Sequence, residues 1–188
     1  LAQEAKITFD EATGFATLLF MAGHETTTLL MGNCLDLLAE RPDLLPSLAD
    51  SDAARLFVEE VVRFRPPVQR LTRRAATDTV LGGYRIPAES SVRFLIASAN
   101  RDEQIHKDGE TFDPFRSVTN NVGFGYGVHL CIGAWLARLE TAIALQVIAQ
   151  STRTMARDPD IARIPLAGGA FATTGLDALG LKLVPVDP

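Results

Sequence analysis

Over the first 40 residues, apolar side chains fall on nearly every face of a helical projection: Phe15, Leu18, Leu19, Phe20, Met21, Leu29, Leu30, Met31, Leu35, Leu37 and Leu38. The pattern predicts one long helix. A helix that is apolar all round normally sits at the centre of a larger body. Thr8 and Glu11 have the spacing of a capping box at its start. Pro42 marks its end and opens a shorter helix. A further helix is predicted from about Asp52 to Phe64, with Leu56, Phe57, Val61 and Phe64 at helical spacing and Pro66-Pro67 as its stop. Between Ala75 and Asn100 the pattern changes. Gly82-Gly83 separates Val80-Leu81 from Tyr84-Arg85-Ile86, which reads as a hairpin, and Ser91 to Ile96 is another strand. Residues 101–130 carry the Gly, Pro, Asn and Asp of a loop. A second long helix runs from about Ile132 to Ser151, and the tail from Pro165 to Val186 is Gly-rich and then β-like. The fold class is mainly α with small β hairpins.

Composition narrows the function classes. The chain has 188 residues, 47% of them hydrophobic and 22% charged, with a formal net charge of -5. That suits one ordinary domain. There is no basic surplus for nucleic acid and no run of like charges. The most apolar stretch, Phe15 to Gly23, is too short to span a bilayer and runs into His24 and Glu25. No membrane segment is expected. Cys34 and Cys131 form neither a disulfide framework nor a zinc spacing. A reducing, cytoplasmic setting fits them best. The sequence begins at Leu1 with no signal peptide, so we expect a piece or an incomplete reading of a longer chain.

Three constellations carry chemistry. The first is the loop from Phe124 to Gly133. Gly125, Gly127 and Gly133 permit close backbone approach and positive φ. Cys131 stands just before a helix, whose amino terminus favours thiolate over thiol. A thiolate so placed is a good axial ligand for haem iron. Phe124 could shield the sulfur, and His129 could donate to a haem propionate. Alone, Cys131 reads rather as a buried, inert cysteine, by about four to one. The full spacing F-x-x-G-x-x-x-C-x-G should arise by chance in only about one chain in a thousand of this length.

The second constellation is Ala22-Gly23-His24-Glu25-Thr26-Thr27, in the middle of the long apolar helix. A charge and a hydroxyl there are costly unless paired or functional. Gly23 leaves room for something small against the helix. A threonine hydroxyl can bond to the carbonyl one turn earlier and open the helix locally. A plain polar strip on the surface is the competing reading. The third is Glu60 and Arg63, three apart on one helix face. On their own they could be an ordinary surface pair.

Together, in this order, these motifs resemble the cytochromes P-450 of the soluble bacterial type. The loop resembles their haem-ligand signature, and Ala134 to Glu140 resembles the helix after the ligand, with Trp135 where proline is frequent. The resemblance covers essentially all 188 residues, as a partial domain: the carboxy-terminal, haem-binding half of the fold, without its amino-terminal half. It implies haem b (iron protoporphyrin IX), with Cys131 as the metal ligand and His129, Arg73, Phe124, Gly125 and Gly133 around the cofactor. Arg74 competes with Arg73 for the propionate. It further implies that Thr26 holds activated oxygen and Glu25 relays protons. Glu60, Arg63 and Arg116 would form a buried network that holds the haem loop. Ala99-Asn100-Arg101-Asp102 would be a structural turn. Ala22, Val68, Gln69 and Phe171 would line the substrate pocket, with Arg70 in the same wall meeting a substrate carboxylate or solvent. The implied reaction is insertion of one atom of dioxygen into a small apolar organic substrate. Electrons would come from a ferredoxin-type donor with an NAD(P)H-dependent reductase. The competing expectation is a truncated, inactive fragment that binds haem poorly or not at all.

Overall fold

The computed structural model describes residues 7–117, 119–166 and 173–186. Thr8 accepts a hydrogen bond from the Glu11 backbone while the Glu11 carboxylate accepts from Thr8 N, a reciprocal capping box that opens helix α1, Phe9–Glu40. As Pro42 predicts, α1 stops there, but the following segment, Pro42–Ala49, is a 3-10 helix. Asp50 then caps α2, Ser51–Phe64, by accepting from the N–H groups of Asp52 and Ala53. The second long helix, α4, covers Ala134–Ser151 and starts two residues later than its apolar pattern suggested, because Gly133 takes the cap position.

The strands form antiparallel pairs. β1 (Leu71–Arg74) pairs with β4 (Ser91–Phe94), and β2 (Thr79–Leu81) with β3 (Tyr84–Ile86) across Gly82 and Gly83, both at positive φ. The predicted strand to Ile96 ends at Phe94, because a short helix, α3 (Ile96–Ala99), begins there. β5 (Thr152–Arg157) pairs with β8 (Leu181–Pro185), and β6 (Ile164–Pro165) with β7 (Leu176–Ala178). Residues 101–130 are irregular apart from a 3-10 turn at Gly127–His129.

The core lies between the carboxy-terminal part of α1, the 3-10 segment, α2 and α4. Leu30, Leu38, Leu45, Phe57, Val61 and Leu145 are its centre. Residues Phe9 to Met21 of α1 behave differently: Phe9, Phe15, Leu18, Phe20 and Met21 are exposed. The all-round apolar helix is therefore buried only from Leu29 onwards. Asp36, 2% exposed, pins that buried end. Its carboxylate accepts from Arg65, Arg157 and Arg163, which tie α1 to the end of α2, to β5 and to the chain before β6. Burial alone would raise the Asp36 pKa, but the hydrogen bonds of Arg163 and Arg157 outweigh it and hold the carboxyl below its usual range. Among the described residues, no helix is long and apolar enough to cross a membrane.

Glu60 and Arg63 have no exposed surface. The carboxylate and guanidinium meet as a fork, Nε to Oε2 and Nη2 to Oε1, both 2.7 Å. Arg63 then donates to the carbonyls of Asn100, Gly109 and Thr111, and Glu60 Oε1 accepts from Asp113 N at 2.9 Å. Arg116 stands 3.5 Å from Glu60 and also donates to the Lys107 and Asp108 carbonyls. Glu60 and Arg63 are fully buried, and Arg116 lies beside them at the edge of the core, 17% exposed.

His106 is buried beside this network with its Nε2 unpartnered. Burial, then the charges of Arg63 and Arg116, push its imidazole below the ordinary value of 6.5, against the weaker pull of Glu60 and Asp102.

Two outcomes follow. Arg63→Ala would strand the Glu60 carboxylate in the core and should cost about 3–5 kcal/mol, read as a lowered denaturant midpoint. Arg74→Ala, which removes an exposed pair with Glu89, should cost no more than about 1 kcal/mol. For His106, the unfolded chain takes up a proton below 6.5 that the folded chain refuses. Its contribution is intact above that value and is lost as pH falls towards the lower folded pKa, by up to about 1.4 kcal/mol per pH unit. Unfolding measured from about pH 7.5 down to about pH 5.5 should steepen in the native chain and flatten in His106→Phe; equal slopes would show that His106 does not contribute.

Candidate functional site

The ligand loop hangs from α2. Asn100 Oδ1 accepts from Val122 N at 2.9 Å, and its amide donates to Asn121 Oδ1, which in turn accepts from Gly123 N. Gly123 lies so close to α2 that a Cβ would meet Val62 at 2.5 Å. Only glycine fits there. Phe124 packs against the core and under Arg138, whose guanidinium carbon is 4.2 Å from the ring centre. Gly125 (φ +80) turns the chain, and a Cβ there would meet the His129 carbonyl at 2.9 Å. The loop closes when Cys131 N donates to the Phe124 carbonyl at 2.8 Å. Gly133, at the cap of α4, leaves its open side 3.9 Å from Cys131 Sγ.

Cys131 is exposed, in contrast to Cys34, whose thiol is fully buried and pushed well above its ordinary value. Around Cys131 the surface is apolar: Val128 is 98% exposed and Ile132 80%. Nearby, a cavity of about 380 Å³ is lined by Gly125, Tyr126, His129 and Arg73 together with Leu71, Phe94, Leu95, Ile96, Ala99 and Val122. Three of the residues expected around the cofactor thus share one cavity. Arg73 lines it, whereas Arg74 is engaged with Glu89 at 2.6 Å. The donor set fits haem. A single sulfur ligand next to an apolar surface, with Arg73 and His129 in the adjoining cavity, suits a flat, mostly apolar macrocycle that brings four metal ligands and two carboxylates of its own. Among the described residues, no cluster of three His, Cys, Asp or Glu side chains could hold a free metal ion.

On α1, Thr26 Oγ1 donates to the Ala22 carbonyl at 2.6 Å, the one-turn back-bond expected of a threonine in that place. Glu25 Oε1 accepts from Thr173 Oγ1 at 2.6 Å. Thr173 is itself held by a β-bridge to Val68, and Thr174 N donates to the Pro67 carbonyl. Thr173 thus touches Glu25 through its side chain and Val68 through its backbone. Gln69 donates to the Pro66 carbonyl, and Arg70 is exposed. Phe171 lies outside the described residues. Sequence reasoning missed Asn121, Gly123 and the Arg138–Glu59 pair. Each acts through a partner distant in the chain, and only Gly123, one more glycine before Phe124, leaves a local trace.

The cytochrome P-450 family profile matches residues 53–157. The erythromycin C-12 hydroxylase of Saccharopolyspora erythraea is 43% identical over 157 residues, 80% of this chain and 39% of that protein. The cyclomarin C epoxidase of Salinispora arenicola is 42% identical over 76% of this chain and 36% of its own length. The crystal structure of a versatile cytochrome P-450 enzyme from Bacillus subtilis superimposes with a TM-score of 0.88 at 35% identity, over 97% of this chain and 49% of that one. The chain thus spans about two fifths of the length of the curated relatives it matches. By the family match, the sequence identity to these relatives and the shared fold, this chain belongs to the cytochrome P-450 family.

Proposed function

We propose that these residues form the haem-thiolate site of a monooxygenase. The observation that carries this reading is Cys131: an exposed thiol on a loop pinned at Phe124, beside a cavity that Arg73 and His129 line. Haem b supplies oxygen activation when bound, with Cys131 as its protein ligand. Arg73 and His129 hold its propionates by charge and hydrogen bond. Gly125 and Gly133 keep the loop narrow enough for the sulfur to reach the metal.

Thr26 and Glu25 serve the protons. The Thr26 hydroxyl, which donates to the Ala22 carbonyl, would turn from it to hold and pass on a proton. Glu25 passes protons inward through its contact with Thr173. In the net reaction one oxygen atom enters an organic C–H or C=C bond. The other leaves as water, with two electrons and two protons consumed. The electrons come from a ferredoxin-type donor with an NAD(P)H-dependent reductase, in a cytoplasmic setting. The substrate is small and apolar and would meet Ala22, Val68 and Gln69. The relatives' names speak of a hydroxylase and an epoxidase, both compatible with this reaction.

A second reading rests on the exposed Phe9, Phe15 and Phe20 of α1. Apolar patches of this kind promote association. In that reading the 188 residues alone bind haem poorly, and the chain is inactive by itself.

The test is the carbon monoxide difference spectrum of the reduced, haem-loaded chain, recorded alone and joined to the amino-terminal part of a relative. A strongly red-shifted Soret band that disappears in Cys131→Ala is expected in the joined protein. Its presence in the isolated chain would exclude the second reading; its absence from both would sink the haem-thiolate assignment. With the band in place, Thr26→Ala should divert at least about tenfold more of the electrons to peroxide, within the range of general-acid effects.

A further inference from the structure

The pin that sets Cys131 is itself set by a pair of charges on two other elements. We propose that Arg138 of α4, oriented by Glu59 of α2, is a positioning residue for the Cys131 thiolate, acting through Phe124. This inference rests on the haem-thiolate reading above.

Glu59 and Glu60 are neighbours in sequence but point about 100° apart around α2. Glu60 faces inward to Arg63. Glu59 faces α4 instead. Both of its oxygens accept from Arg138, Oε1 from Nε and Oε2 from Nη2, the latter at 3.2 Å. A two-point fork of this kind fixes the guanidinium plane, which a lysine could not do. Arg138 Nη1 adds a bond to the Ala134 carbonyl at 3.4 Å, one turn earlier on the same helix. So held, the guanidinium lies over the Phe124 ring at 4.2 Å from its centre, within cation–π range. The Glu59 backbone carbonyl also accepts from Asn121 Nδ2 at 3.4 Å, so one residue grips both the entrance of the loop and the group above its ring.

The connection to the sulfur is short. The Phe124 carbonyl receives Cys131 N–H at 2.8 Å. A shift of the ring moves that carbonyl and with it the cysteine backbone. The pair is neutral as a whole. Removing either member therefore does two things: it loosens Phe124, and it leaves one uncompensated charge next to the ligand loop. The charge has opposite sign in the two cases, and that distinguishes the proposal from a role in folding alone. Net charge beside a metal site is one of the means by which a protein sets its potential.

The experiment uses the haem-loaded protein carrying Arg138→Gln, Arg138→Lys, Glu59→Gln or the double change. Readouts are the fraction of ferrous carbon monoxide adduct with the red-shifted Soret band and the reduction potential of the haem. Arg138→Gln should lose a substantial part of that band and shift the potential negative. Glu59→Gln should shift it positive, and the double change should bring it back towards the native value. Arg138→Lys should keep the potential closer to native but still lose band, because it retains charge and not the plane. Native band fraction and native potential in both single variants would overturn the proposal. So would shifts of the same sign, which a loosened fold produces. If Arg138→Gln does not fold, as seen by circular dichroism, the Lys and Glu59 variants decide. Absence of the red-shifted band from the unsubstituted chain, both alone and joined to the amino-terminal part of a relative, would instead sink the haem-thiolate reading, and this inference with it.

Discussion

Everything around the ligand loop depends on one buried guanidinium. Arg63 has five N–H donors, and each has a partner: two on Glu60 and three on the carbonyls of Asn100, Gly109 and Thr111. Buried backbone carbonyls need partners as much as a buried charge does. The stretch between α3 and α4 has almost no regular structure to supply them. Arg63 supplies them from below, and Glu60 takes the Asp113 N–H in return. The pair adds little net stability on its own, because desolvation consumes most of the Coulombic gain. Its consequence is shape: a long irregular segment has one way to satisfy itself, by winding over the face of α2 that carries Arg63.

From that template the constraint runs on to Cys131 without a gap. Asn100 gives its carbonyl to Arg63 and its side chain to Val122 and Asn121. Asn121 holds Gly123. Gly123 lets the chain touch Val62, and Phe124 drops into the core next to it. Cys131 closes the turn on the Phe124 carbonyl. Every link is a hydrogen bond or a close contact to α2 or to a residue that α2 holds. The exposed thiol is therefore on a loop that is itself firmly placed, which is what a metal ligand requires.

Local chemistry was readable in the sequence, and contacts distant in the chain were not. The capping box at Thr8 and Glu11, the Gly82-Gly83 turn and the stop at Pro66-Pro67 are written within a few residues, and each is found where expected. The strands β1 and β5, Leu71-Thr72-Arg73-Arg74 and Thr152-Arg153-Thr154-Met155-Ala156-Arg157, were not read as strands. They are short and charged, lie at the rim with most side chains exposed, and β5 carries an irregularity between Thr152 and Thr154 that spoils its alternation. The Asp36 cluster was equally hidden. Its partners Arg157 and Arg163 lie 121 and 127 residues away, and no spacing rule connects them. The family motif made Glu60, Arg63 and Arg116 legible where their spacing alone permitted a surface pair.

The two halves of α1 show how the other side of the site is held. From Leu29 to Leu38 the helix is locked by the core, by Asn33 on the Arg65 carbonyl and by Asp36 among its arginines. Before Leu29 most of its apolar side chains are exposed. Thr26 lies three residues before the locked part, about 4.5 Å along the axis. It is thus less than one turn beyond the anchor and inherits its position. The back-bond from Thr26 to Ala22 adds local grip. Glu25, one residue further out, has a tie of its own through Thr173 to the segment after α2. That segment starts at Pro66 and Pro67, directly beyond the helix that carries Glu60 and Arg63. Glu25 and the Cys131 loop are therefore both referred to the carboxy-terminal part of α2 and the chain directly after it, so one rigid element serves as the reference for both.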